Sequence, residues 1–293
     1  MRTILICICI LLYSFEAFSQ ADSTFSGIIS VDTTITGELD INSDITINSG
    51  VTLTIQPGTI LNVMGNFGIT VNGAIHAVGE DTSKITIKSS DGNPTSGDWK
   101  GISFTSQSGF PVTSIKNVEI HHAVTGITLN SIPSAYSLNF DAVKIKDVSN
   151  DGIRINNSHT TINNISILNY GSDGIFVEGS NSEVTVTDSE IDQQSSSLVR
   201  TGNGVFVHNR ADLELTGNRI TRCSVGVYVF NNYISNNSGN YPPIVVAAGN
   251  EIIQNSDGVR VTGRRVSYSP SSPVDYPLVD FTGNDIYGNV DWN

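Results

Sequence analysis

The chain has 293 residues, with 15 Lys+Arg against 28 Asp+Glu, a formal charge of −13 and only 15% charged residues, where an average soluble protein carries about 25%. No Lys/Arg cluster gives the electrostatic footprint that nucleic acid or an anionic membrane surface requires, so neither is expected as a partner. A hydrophobic content of 38% suits a packed core and excludes general disorder, and the length fits one large all-β domain.

Arg2 precedes an apolar run from Ile4 to Leu12, and Ala17-Phe18-Ser19 supplies small residues where a signal peptidase reads. This pattern predicts a signal peptide over residues 1–19, cleaved after Ser19, and a secreted or cell-surface mature chain. The run is shorter than the roughly 20 apolar residues a bilayer span needs and no second one follows, so no transmembrane segment is expected. Cys7 and Cys9 leave with the signal, so Cys223 is the only mature cysteine and no intramolecular disulfide is expected.

Residues 20–293 read as one repetitive domain, with a cap and first coils over about 20–66 and regular coils over 67–293. From Gly68 the string glycine, branched apolar, any residue, apolar recurs at Gly101, Gly126, Gly152, Gly174, Gly204, Gly226 and Gly258, at spacings of 33, 25, 26, 22, 30, 22 and 32. A second apolar series interleaves with it and ends at Ile87, Ile120, Ile145, Ile167, Ile191, Ile220, Ile252 and Ile286. Strand alternation at a period of about 20 to 35 residues, with no helical period, predicts a solenoid. A shortest spacing of 22 residues accommodates one turn of a parallel β-helix, three short strands joined by tight bends. The leading glycines point to positive φ or to close backbone approach. Asn and Asp beside them, as in Asn150-Asp151-Gly152, Ser172-Asp173-Gly174 and Ser256-Asp257-Gly258, are expected to hydrogen-bond the turning backbone. Asn218, Asn250 and Asn284, each two residues before an isoleucine of the second series, are expected to stack as a buried ladder. No cofactor is expected; calcium on Asp151, Asp173 and Asp257 is the alternative, although Asn203 and Val225 interrupt that column.

The stretch from Ile45 to Thr59, with Val71-Asn72-Gly73, Ile75-His76-Ala77-Val78-Gly79 and Trp99-Lys100-Gly101-Ile102-Ser103-Phe104, resembles the opening of secreted bacterial right-handed parallel β-helix proteins of the pectate-lyase-like superfamily. The resemblance implies an all-β, single-stranded right-handed parallel β-helix. That superfamily includes polysaccharide lyases, glycoside hydrolases, uronan epimerases, adhesins and surface proteins, so the fold does not choose among them. The Arg-x-Pro-x-x-Arg of pectate lyases, the Asp-Asp with Gly-His-Gly of polygalacturonases and the Asp-Pro-His of the epimerases do not occur here.

Strand alternation turns the third residue of each glycine-led string outward. That column reads Thr70, Ser103, Thr128, Arg154, Phe176, Phe206, Tyr228, Arg260, and the next outward column reads Asn130, Asn156, Glu178, His208, Phe230, Thr262. Rings stacked at roughly 5 Å would form an exposed strip flanked by Arg154 and Arg260 and edged by Glu178 and His208. The strip is read either as a structural ladder capped by arginines or as a surface on which sugar C–H faces pack. Insertions at 192–203, 231–243 and 263–277, carrying Arg200, Tyr233, Tyr241, Arg264, Arg265, Tyr268 and Tyr276, are expected to wall this face.

The expected function is therefore a non-catalytic module that binds a polysaccharide or cell-surface glycan, or serves an interaction or structural role, through Arg154, Phe176, Glu178, Phe206, His208, Tyr228, Phe230 and Arg260. The alternative is a uronan lyase in which His208 or Tyr228 abstracts a proton and Arg260, Arg154 or Arg264 neutralises a carboxylate. Glu178 is the one carboxylate in the two columns, which disfavours a paired-carboxylate hydrolase. His121-His122 reads as a solvated turn with no cysteine and no carboxylate at ligand spacing, so no metal is expected there.

Overall fold

The computed structural model describes residues 24–105, 112–136, 138–194, 201–231, 242–263 and 277–289. The signal segment, and Arg200, Tyr233, Tyr241, Arg264, Arg265, Tyr268 and Tyr276 of the insertions, lie outside the described residues.

Among the described residues thirty short strands wind as a coil in which every third strand joins the same sheet. Three ten-stranded parallel sheets result, each strand hydrogen-bonded to its equivalents in the coils before and after. The first complete coil runs through Gly27–Ile29, Thr33–Ile35 and Glu38–Ile41. The glycine-led strings build the first sheet. The second apolar series resolves into two strands per coil: Asp212–Thr216 lies in the second sheet and Arg219–Thr221 in the third, with the chain bending at Gly217 and Asn218. Among the described residues no helix is long and apolar enough to cross a membrane.

Alternation within each strand sends the flanking apolar residues inward, and the coil repeat aligns them. Ile87, Ile120, Ile145, Ile167, Ile191, Ile220, Ile252 and Ile286 form one continuous register column of the third sheet. All but the terminal Ile286 are buried, and each such side chain contributes about 1.5–3 kcal/mol on leaving water. Of the leading glycines Gly101 takes a positive φ, at 101°, while Gly126, Gly152, Gly174, Gly204, Gly226 and Gly258 are needed for close approach. A Cβ at Gly152 would lie 2.4 Å from Ile167 Cγ2 and 2.6 Å from the Gly174 carbonyl oxygen. Positive φ also falls on Asn117, Asn157 and Asn164 between strands and on Asp147 and Asn169 near the ends of third-sheet strands, where short polar side chains best tolerate the left-handed region.

Asn218, Asn250 and Asn284 form the expected ladder. Asn218 Nδ2 donates to Asn250 Oδ1 at 2.9 Å, and Asn250 Nδ2 to Asn284 Oδ1 at 2.7 Å. The same oxygens accept the backbone N–H of Asn218 and Asn250. A second buried column, which the sequence reading does not separate, links the Cys223 N–H to Asn255 Oδ1 at 2.9 Å and the Asn255 N–H to Asn289 Oδ1 at 2.9 Å.

Candidate functional site

The outward columns of the first sheet have the register that the alternation demands. Arg154, Phe176, Phe206, Tyr228 and Arg260 are successive cross-strand neighbours, as are Asn156, Glu178, His208, Phe230 and Thr262.

The rings do not lie as an open platform. Phe206 and Tyr228 have centroids 4.9 Å apart at an interplanar angle of 10°. Two rings lying side by side on a surface cannot come so close, so these overlap face to face and turn their edges outward. His208 and Phe230 stack in the same way at 5.5 Å and 16°. Phe176 meets Phe206 edge to face at 5.5 Å and 77°. Phe206 and Tyr228 thus cover each other's inner faces, and the strip presents mainly ring edges outward.

The two ends of the ladder are covered as well. Arg154 Cζ lies 4.2 Å from the Phe176 centroid, and Arg260 Cζ lies 5.7 Å from that of Tyr228. Phe176, expected as an exposed ring, is only 7% exposed because Arg154 covers it and Phe206 abuts it. Phe206, Tyr228 and Phe230 stay half-buried.

Both arginines are held by an aspartate three residues earlier. Arg154 Nη2 lies 2.5 Å from Asp151 Oδ2, a close ion pair. Arg260 pairs with Asp257. The sequence signal is Asp-Gly-apolar-Arg, present at 151–154 and 257–260 at either end of the ladder. Asp151 Oδ1 also accepts the Asp173 N–H at 3.2 Å, and Asp173 Oδ1 accepts the Asn203 N–H at 3.2 Å and its Nδ2 at 2.7 Å. Burial raises the pKa of Asp151 despite the attraction of Arg154. Burial pushes Asp173 up to about 6, with the Asp151 charge adding and the Asn203 hydrogen bond opposing.

On the adjoining column His208 Nδ1 lies 3.1 Å from Glu178 Oε1, and Asn209 Nδ2 approaches the same oxygen at 3.4 Å. An ionised Glu178 can only accept, so it fixes the imidazole proton on Nδ1 and leaves the Nε2 lone pair available. Asn156 Nδ2 donates to Asn130 Oδ1 at 3.0 Å, which extends a polar edge below Glu178. The face thus offers ring edges, which carry the positive end of the aromatic quadrupole, one oriented histidine, amides and two guanidinium groups.

A separate cleft of about 820 Å³ opens over the second sheet, lined by residues including Tyr136, His159, Glu183, Asp212 and Ile244. His159 Nδ1 lies 3.1 Å from Glu183 Oε2, and Glu183 is the register neighbour of Asp212. Burial raises the Asp212 pKa, with the Glu183 charge adding. These carboxylates escaped the sequence reading because they sit on the sheet whose strands it did not separate.

The His121-His122 reading is also corrected. Both rings are half-buried, and Asp147, 25 residues later in sequence, lies beside them in the next coil.

A family model described as "Right handed beta helix region" matches residues 100–290. The chain belongs to this family. No curated protein matches the sequence. Among solved structures, this right-handed β-helix is similar to a mutant of the periplasmic alginate epimerase AlgG, at 12% identity and a TM-score of 0.49, over 88% of this chain and 76% of that one. A likeness at that level carries no argument about chemistry.

Proposed function

We infer that this protein is an exported or cell-surface β-helix module that holds a glycan along its first sheet without cleaving it. The observation that carries this reading is the unbroken outward surface from Asn156 to Thr262, in which amide, carboxylate, imidazole and ring edges run parallel to the helix axis between Arg154 and Arg260. Such a surface suits an extended chain rich in oxygen acceptors, which meets ring edges and N–H donors rather than ring faces. The non-catalytic part of the reading rests on commitment of the charged groups: Asp151 and Asp257 hold arginines, and Glu178 holds His208. Calcium has no part in this reading, because the oxygens of Asp151 and Asp173 already serve an arginine and turn amides. The leader-like pattern over residues 1–19 supports export.

An array of neutral and acidic polysaccharides tests the reading. Wild-type protein is expected to be retained on at least one of them, and His208→Gln and Phe206→Ala to lose most of that retention while still melting cooperatively. A wild type retained by none, or variants retained equally well, overturns it.

One observation favours the lyase alternative: a proton held on His208 Nδ1 by Glu178 puts the lone pair, and so the basic site, on Nε2, with Tyr228 and Arg260 in the neighbouring column. Uronic-acid polymers incubated with the protein would then gain the ultraviolet absorbance of unsaturated chain ends, and His208→Gln would abolish it. No absorbance gain across the panel removes this alternative.

A further inference from the structure

We propose that His121, His122 and Asp147 form a binding site for a divalent transition-metal ion of the zinc type, at the corner where the third sheet turns toward the first.

His121 ends the strand Val118–His121, and His122 follows it in the left-handed conformation with φ 64°. His121 pairs in register with Lys146 of the next coil, so His122 stands beside Asp147, itself at φ 57°. Two left-handed residues on adjacent coils thus turn their side chains to the same corner. A ring nitrogen from each histidine and a carboxylate oxygen of Asp147 all lie within 4.8 Å of one another. Ligands of one tetrahedral ion are a little closer than that, and side-chain rotation closes the difference.

Three further features point to a ligand. His122 Nδ1 is buried and has no hydrogen-bond partner among the described residues. A buried imidazole nitrogen without a partner is costly and calls for an explanation such as an ion. His121 Nε2 lies 3.3 Å from Glu119 Oε2, and a carboxylate there accepts a hydrogen bond from Nε2–H, which leaves the lone pair on Nδ1. This is the outer carboxylate that orients metal-binding histidines and raises their basicity. Asp147 Oδ1 accepts from Asn169 Nδ2 at 2.5 Å, which fixes that carboxylate in place. The backbone beneath is rigid: Trp99 is fully buried and its Nε1 donates to the His121 carbonyl at 2.7 Å, and the His122 carbonyl accepts from Gly97 and Asp98.

Two imidazoles and one carboxylate select zinc-type ions over calcium or magnesium, which prefer all-oxygen shells. Three protein ligands leave a fourth position for water. Lys146 Nζ, 3.4 Å from Asp147 Oδ2 and half-exposed, is a competing cation that an arriving ion displaces.

The test is calorimetric titration of Zn²⁺ into chelator-washed protein that carries no histidine tag. One ion per chain is expected. Asp147→Asn and His122→Gln should each weaken binding by more than about tenfold, and Glu119→Gln by about tenfold. Lys146→Ala should bind at least as tightly as wild type. Should a histidine variant fail to fold, Co²⁺ added to the wild type decides the matter: the visible absorption bands of a low-symmetry nitrogen–oxygen site, lost on adding Zn²⁺, are the expected result. No heat with Zn²⁺ overturns the proposal, as does unchanged affinity in His121→Ala/His122→Ala, which would move the ion to other histidines. Neither the glycan array nor the absorbance assay bears on this result, because the site shares no residue with the aromatic face.

Discussion

Asp151 and Arg154 meet at 2.5 Å with the carboxylate wholly buried, and the same guanidinium lies 4.2 Å from the centroid of Phe176. One ion pair therefore ties the turn ahead of the strand to the end of the aromatic ladder. Removal of Arg154 leaves a buried carboxylate without its counter-charge. Arg154→Ala is expected to cost about 3 kcal/mol, while Arg260→Ala at the other end, where Asp257 is partly exposed, should cost less than about 1 kcal/mol. Urea denaturation of both variants checks the contrast, and Asp151→Asn/Arg154→Ala should recover most of the first loss. Equal losses at the two ends would contradict this account.

Asp173 makes the fold sensitive to pH. Its folded-state pKa of about 6 lies above the ordinary 3.8, so the native state binds its proton more tightly than the unfolded chain does. The resulting stability is fully present below pH 3.8 and is lost as pH rises through about 6, by at most about 3 kcal/mol. Asp173→Asn keeps an acceptor for the Asn203 N–H and removes the charge. Thermal melts should show this variant more stable than wild type at pH 7.5 and equal to it at pH 4. A difference that does not change with pH would refute the linkage.

The asparagine ladder should weaken according to depth. Asn250 Nδ2 donates to the Leu215 carbonyl and to Asn284, while its Oδ1 accepts from Asn218. Asn250→Ala strands several buried polar groups and is expected to cost about 3 kcal/mol; Asn284→Ala, near the exposed end, about 1 kcal/mol. Chemical denaturation of each variant measures both, and the reverse order would show that the ladder is not the source of the stability.

Cys223 is fully buried, with its Sγ 3.0 Å from the hydroxyl of buried Tyr170. In protein lacking residues 1–19 a thiol reagent should label nothing in the native state, and label one cysteine per chain as urea unfolds it. Rapid native-state labelling would place Cys223 at the surface instead.

The coil was legible because two periods reinforce each other. Alternation within a strand assigns Ile153 and Ile155 to the core and Arg154 to the outside, and the recurrence of Gly152, Gly174, Gly204 and Gly226 stacks equivalent positions. Exposure of Phe176 was not legible, because it depends on where the Arg154 side chain lies. The second sheet was obscured because Leu213-Glu214-Leu215 and Arg219-Ile220 follow each other closely in sequence, separated by a bend as short as Gly217-Asn218.

Backbone periodicity, readable in the order of residues alone, sets the side of the wall on which each residue stands and which residues share a column. That Phe206 and Tyr228 cover each other's faces, and that Asp147 stands beside His121 and His122, emerges from three-dimensional packing. Ring orientation is set by packing against neighbours rather than by backbone period, and irregular turn lengths hide which residues of successive coils meet at a corner.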